Sequence, residues 1–428
     1  MPGASFCAVA PLSRLLRRHP PPLRGEGRHR VRLAPILIAL GLLTVPAQAQ
    51  PAETVIRVVY LGKRYVEPLP ISLVETVASD RGVQGARLAI SENNRTGTFL
   101  GIRFELFEMI VGEDEDVVAK GRDLLAGGDR LILADLEPKD QLALADLPEA
   151  KGALLMDLRT SDDALRGKEC RANVFHLLPS LAMRADAIGQ YLAWKRWKRW
   201  FLLAGTTPAD RAYAAGVKRA AARFGGRIVA ERAYDYDPGS RRVDTGHQQI
   251  QTQMPMATRN VADHDVVFVA DENGSFGDYL PYNTAEPRPV VGTAGLTAVA
   301  WHRGFEEYSA AQMQHRFELQ AKRVMTERDY GGWLGARILG EVVVRARVTE
   351  PGAMRDFLLS DKFGVAAFKG EALTFRPWDQ QLRQPILLAG PRMLVSISPQ
   401  DGFLHPKYLT DSLGYDEPET ECRLRRRS

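Results

Sequence analysis

From residue 54 onward, short apolar β-branched runs alternate with longer stretches of helical spacing, and near residue 185 the cycle starts again. Residues 54–61 (TVIRVVYL) have the composition of a buried strand. Residues 81–93 follow, with Val83, Ala86, Leu88 and Ile90 set among polar neighbours, as a helix lying on a sheet requires. Residues 102–110 alternate as a strand, 116–126 return to helical spacing, and 130–134 and 152–156 are two more short strands. The second cycle opens with a helix over 185–200 and a strand over 200–204. An alanine-rich helix over 208–224 then stops at Gly225-Gly226. Strands over 227–234, 265–270 and 289–292 complete it, and Pro255 allows at most a broken helix over 248–260. Strands that alternate with helices build βαβ units, whose parallel sheet must be covered on both faces. The expected fold class is therefore α/β, with two Rossmann-like lobes of parallel sheet flanked by helices and a multi-strand hinge between them.

The last third adds helical stretches over 305–328 and 331–347 and strand-like runs over 372–375 and 386–389. These returns suggest a chain that crosses between lobes three times, with hinges near 178–181, 297–301 and 348–364. The expected organisation is a leader over 1–49, a first lobe from 52–178 plus 300–350, a second lobe from 179–299 plus 351–400, and a tail over 401–428.

The leader is read from its charge and apolarity. Arg24, Arg28, Arg30 and Arg32 precede an apolar stretch over 33–45, and Ala47-Gln48-Ala49 supplies small residues at the positions a signal peptidase reads. The stretch is shorter than the roughly 20 residues that cross a bilayer. A retained anchor is the alternative, but no cationic stop-transfer flank follows. Seven of the 57 basic and one of the 52 acidic residues lie within these 49, so the remainder is nearly neutral, at −1. That balance argues against nucleic acid as a partner. The expected location is the periplasm. Of three cysteines, Cys7 leaves with the leader. Cys170 and Cys422 remain, an even pair for an oxidising compartment, where a bridge would pin the tail to the body; two free thiols is the alternative.

The order of these segments resembles the leucine/isoleucine/valine-type periplasmic binding proteins, the type I solute-binding proteins. Gly85-Ala86-Arg87-Leu88-Ala89-Ile90 with Asn93 and Asn94, the strand–helix–Gly-Gly–strand unit over 200–234, and GEALTFRP over 370–377 carry the likeness across about 54–398. Asp135-Leu136-Glu137-Pro138, the tract around Cys170 and the Cys422 tail are similar to a branch associated with pyrroloquinoline-quinone-dependent alcohol oxidation. The resemblance implies a monomer that captures a small-molecule ligand by closing two lobes and presents it to an ABC permease. The ligand it implies is the quinone or a compound tied to alcohol oxidation. A branched-chain amino acid is one alternative, and a sensor or delivery role beside a quinone-dependent dehydrogenase is another. The third-strand loop departs from the family's small-residue turn, reading Ala134-Asp135-Leu136-Glu137-Pro138-Lys139, and the second lobe begins Thr206-Thr207-Pro208-Ala209-Asp210 in place of Asp-Tyr-Gly.

Ligands of open parallel sheets sit beyond the carboxyl ends of the strands. Candidate ligand contacts are therefore post-strand residues. Lys63 and Arg64 suit an anion, and Tyr65 suits a flat ring. Asp135, Glu137, Asp157, Arg159 and Thr207 follow other strands. Asp271 and Glu272 stand where the family keeps an acid for a ligand ammonium, with helix capping as the plainer role for Asp271. Trp301 is the preferred cleft aromatic, with His302 beside it, whereas Trp333 and Trp378 read as core. No His-Glu-x-x-His, Cys-x-x-Cys, Gly-x-Ser-x-Gly or Gly-x-x-x-x-Gly-Lys is present, and the histidines are scattered. The chain is expected to bind without catalysis, cofactor or metal.

Overall fold

The structure, a computed structural model, describes residues 53–67, 77–235 and 252–424; the expected leader lies outside them. The first sheet contains β1 (Thr54–Lys63), β2 (Ile102–Val111), β3 (Leu131–Asp135), β4 (Leu154–Asp157) and β5 (Val174–His176), all parallel, in the order β2-β1-β3-β4-β5. Between them run α1 (Val83–Gly97), α2 (Val117–Ala126) and α3 (Pro138–Ala145). Helix α4 (Leu181–Trp194) opens the second half, followed by β6 (Arg199–Ala204), α5 (Pro208–Phe224), β7 (Arg227–Ala233), β8 (Val266–Ala270), β9 (Val290–Gly292) and β10 (Leu296–Val299). These strands are parallel in the order β7-β6-β8-β9-β10, which repeats the first sheet's topology. The fold class is α/β with helix-flanked parallel sheets, as expected.

Helices α6 (Ala310–Ala321), α7 (Glu327–Ala346) and α8 (Pro351–Leu358) come next, then the short hairpin of β11 (Val365–Ala366) and β12 (Ala372–Leu373). Finally β13 (Ile386–Ala389) and β14 (Leu394–Ser398) extend the second sheet antiparallel from β10, so that sheet is mixed.

Local chemistry sets the boundaries. Asp116 caps α2 by accepting from the Val118 and Ala119 amides. Ser180 caps α4, which therefore starts at 181 rather than the expected 185. Thr207 and Thr326 each close a capping box, with Asp210 and Asp329. The single helix expected over 305–328 is broken, because Lys322 turns left-handed (φ 58°) and the Thr326 box starts a new helix. Helices α1 and α7 pack almost backbone to backbone: a Cβ on Gly85 would lie 1.7 Å from the Asp329 carbonyl oxygen.

Core membership corrects the expected lobe limits. Met354, Leu358, Phe363, Val365, Leu373 and Phe375 pack in the same cluster as Ile56, Val58 and Met156. Residues 351–382 thus belong with the first sheet, where the sequence reading placed them in the second lobe. They are tied there through β5: His176 N–H donates to the Gln380 carbonyl (3.0 Å) and Leu382 N–H to the His176 carbonyl (2.9 Å). The three passages between sheets fall at 177–181, 299–301 and 382–386, so the third is not at 348–364. Gln384 Nε2 donates to the Leu177 carbonyl (2.6 Å), joining the first passage to the third. Among the described residues no helix is long and apolar enough to cross a membrane.

Candidate functional site

In the order β2-β1-β3-β4-β5 the direction of chain progression reverses between β1 and β3, and that switch point leaves a crevice at the carboxyl ends of the strands. A cavity of about 230 Å³ lies there, lined by Lys63, Arg64, Tyr65, Asp135, Arg159 and Arg328, among others. The register explains the convergence, because Gly62 pairs with Asp135 and sets the post-strand loops side by side.

Asp135 is the hub. Its Oδ2 accepts from the Tyr60 hydroxyl (2.9 Å), and its Oδ1 lies 3.4 Å from Arg159 Nη1 and 3.8 Å from Arg328 Nε. Burial, with the Asp135 charge adding to it, holds the Tyr60 phenol well above its ordinary pKa, so Tyr60 stays a donor. Tyr65 donates to Asp140 Oδ2 (2.7 Å) and accepts from the Glu137 amide (2.9 Å), which pins its ring. Arg159 sits 4.6 Å from that ring's centroid, and its other nitrogen is 3.7 Å from Glu137. Glu67 is buried enough to raise its pKa, but Arg81 and Arg328 outweigh burial and hold it below the usual carboxylate range. The long contacts of Arg159 leave it free to re-pair: a ligand carboxylate would be a closer partner than either acid. Among the described residues, neither Lys63 nor Arg64 forms an ion pair.

The second sheet repeats the arrangement at β6 and β8, where Ala204 pairs with Ala270. Glu272 follows β8; burial raises its carboxyl pKa against the pull of Arg184. Arg184, on α4, bonds Glu327 at the start of α7 (3.0 Å), so an ion pair joins the two halves beside this acid.

Five expected contacts have structural duties instead. Asp157 is 1% exposed, and its oxygens are taken by His176 Nδ1 (2.7 Å), the Arg159 and Thr160 amides and the Thr160 hydroxyl. Thr207 caps α5. Asp271 accepts from the amides of Ser275, Phe276 and Gly277, the capping role weighed above. Trp301 is buried and stacked on Tyr330 (4.8 Å, 15°), with Nε1 donating to Gln314, so no cleft face is left to it. His302 Nδ1 accepts from the Gly304 amide within a turn. Lys63, Arg64, Tyr65, Asp135 and Arg159 do come together around one cavity, with Glu137 at its rim and Glu272 on the other half. Tyr60, Glu67, Arg81 and Arg328 also line this cavity, and the sequence reading missed them. Tyr60 could have been found, since a tyrosine inside an apolar strand needs a partner for its hydroxyl. Cys170 and Cys422 are bridged, with Cα atoms 5.7 Å apart. Among the described residues no cluster of three or more His, Cys, Asp or Glu is placed to hold a metal.

Comparison with known proteins agrees with this architecture. The solved structures that resemble it include a branched-chain amino acid ABC transporter periplasmic ligand-binding protein from Burkholderia xenovorans, at 15% identity and TM-score 0.67, over 86% of this chain and 99% of that one. A leucine-, isoleucine-, valine-, threonine- and alanine-binding protein from Brucella ovis, in its closed conformation, matches at 13% identity and TM-score 0.59, over 85% and 98%. A solute-binding protein from R. palustris in complex with benzoate matches at 12% identity and TM-score 0.57, over 87% and 100%. At these identities the likeness is one of fold. Among curated proteins none matches the chain by sequence at a significant level. The family model for periplasmic binding proteins matches residues 76–390. With most of its length covered by that match, the chain belongs to the periplasmic binding protein family, a family of binders and not of enzymes.

Proposed function

We propose that this protein is the exported solute-capturing component of an ABC importer, working in the periplasm after removal of its leader. A small anionic ligand settles in the switch-point cavity of the first sheet, and the second half closes over it for hand-over to the permease. The observation that carries this reading is Arg159: it is held loosely between Asp135 and Glu137 at 3.4 and 3.7 Å, over the face of a fixed tyrosine. A cation and a flat ring side by side suit a planar carboxylate, which favours pyrroloquinoline quinone or a compound tied to alcohol oxidation. A branched-chain amino acid is the second reading. It is favoured by Glu272, an acid that follows β8 of the second sheet and whose carboxyl pKa is raised by burial, as an ammonium partner. A delivery or sensing role uses the same site. The test is to denature purified protein and identify the released molecule by mass spectrometry, then titrate with the quinone and with leucine by calorimetry. Binding of the quinone in the nM–µM range supports the first reading, and binding of leucine there supports the second. Dissociation constants above about 100 µM for both exclude both named ligands.

A further inference from the structure

The matched family region ends at residue 390, and the chain then lays a further segment over both halves of the molecule. It begins on the second half, where Ser398 Oγ donates to the Ala187 carbonyl (2.9 Å) and the Gln400 amide to Gln190 Oε1 (3.0 Å), both on α4. It then touches the β12–β13 connection, where the buried Asp411 carboxylate receives Arg376 Nε at 2.8 Å and Arg383 Nε at 2.9 Å. It returns to the second half. Leu413 is buried in that core, the Gly414 amide donates to Asp186 on α4 (2.9 Å), and the Gly414 carbonyl accepts from Arg219 and Arg223 on α5, each at 2.7 Å. Finally Cys422 is bonded to Cys170, in the loop before β5 of the first sheet. A cavity of about 300 Å³ separates this segment from the first passage, with Ser180 and Met183 on one wall and Tyr415 and Glu419 on the other.

We propose that residues 399–424 are a strap, locked by the Cys170–Cys422 bond, that limits how far the two halves swing apart and so slows ligand release. Hinge motion changes the distance between Cys170 and α4–α5. A segment fastened to both ends of that distance opposes the change, and its last fastening is covalent. The inference rests on the closure reading above, but its test is made without ligand.

The full chain carrying Cys7→Ser, Thr96→Cys and Ala222→Cys is labelled with a maleimide spin label; positions 96 and 222 are exposed, one on each half. Double electron–electron resonance then compares three states: the intact bridge, the bridge reduced by a water-soluble phosphine, and the further variant Cys170→Ser/Cys422→Ser. Reduction is complete in itself, because the phosphine takes oxygen from one water and the two hydrogens end on the two sulfurs. The expected result is a longer-distance population and a distribution about twofold broader in both unlocked states. Unchanged distributions in the reduced protein, or in the variant with circular dichroism like the parent's, overturn the strap. Addition of the quinone or leucine to the locked protein tests closure separately: a shift to shorter distances there, with no broadening on unlocking, leaves the closure reading standing and removes the strap.

Discussion

Changing Lys369 to methionine removes a charge from the centre of the hinge. The residue is 4% exposed, and its Nζ donates to the carbonyls of Ala300 and Pro385, one on the second passage and one on the third. The rings of Phe305 and Tyr330 stand 5.8 and 5.4 Å away. Burial pulls the ammonium down from its ordinary 10.5 to about 7, against the opposing pull of Glu327. A depression of roughly 3.5 pH units is worth about 5 kcal/mol. The folded pKa lies below the unfolded one, so the penalty is full below pH 7, declines as pH rises, and vanishes above 10.5, where both states are neutral. Between pH 7.5 and 9.5 the parent protein should therefore gain about 2–3 kcal/mol relative to Lys369→Met. Methionine also leaves two carbonyls without a donor, at about 1–3 kcal/mol each, but that offset is the same at both pH values. Urea denaturation followed by circular dichroism at the two pH values reads the difference in slope. Curves that shift in parallel for parent and variant would refute the claim that a neutralising lysine sits in the hinge.

Asp379 is a second case with the opposite sign: burial, only partly offset by Arg376, raises its carboxyl to about 6. Its penalty is present above pH 6 and gone below about 4, so Asp379→Asn should stabilise by up to ~3 kcal/mol at pH 7 and by nothing at pH 4, measured by denaturant titration. Cys170→Ser/Cys422→Ser opens a loop closed across 252 residues and should lower stability by roughly 2–5 kcal/mol without changing the far-ultraviolet spectrum. Gly85→Ala drives a methyl into the Asp329 carbonyl and should lower the melting temperature sharply in a thermal scan, by ~3 kcal/mol or more. Arg159→Ala should weaken capture of a carboxylate ligand by about tenfold or more in calorimetry while leaving the melting temperature of the free protein within a few degrees.

The parallel sheets were legible because β1, β6 and β8 are written in β-branched, aromatic and aliphatic residues that suit a doubly covered strand. Strands β5 and β10 were missed: three and four residues long, they carry no periodicity, and partners distant in sequence hold them. Helix α3 was not assigned: the third-strand loop was run through Pro138 and Lys139, whereas at the first helical position proline starts a helix. At the candidate site, the rule that ligands lie beyond strand ends named Lys63, Tyr65, Asp135 and Arg159, which line one cavity. It failed for Asp157 and Asp271, because a carboxylate after a strand serves equally well to bind its own backbone or a buried histidine. Arg328 was invisible for another reason: it reaches the cavity from the start of a helix nearly two hundred residues beyond Asp135.

The dependence of β5 on residues 380–382 bears on how the molecule comes into being. A nascent chain emerging from its amino end has all five strands of the first sheet, and α1, long before it has α7, which shares one face of that sheet with α1. Val58, Phe104 and Leu133 wait for Trp333, Ile338 and Leu339, and the sheet's edge waits for Gln380 and Leu382. Contacts of such high order are slow to close and leave an apolar surface open in the meantime. Assembly is thus completed from the carboxyl end, and a truncation anywhere before residue 382 should leave the first half unfinished and yield no sound lobe.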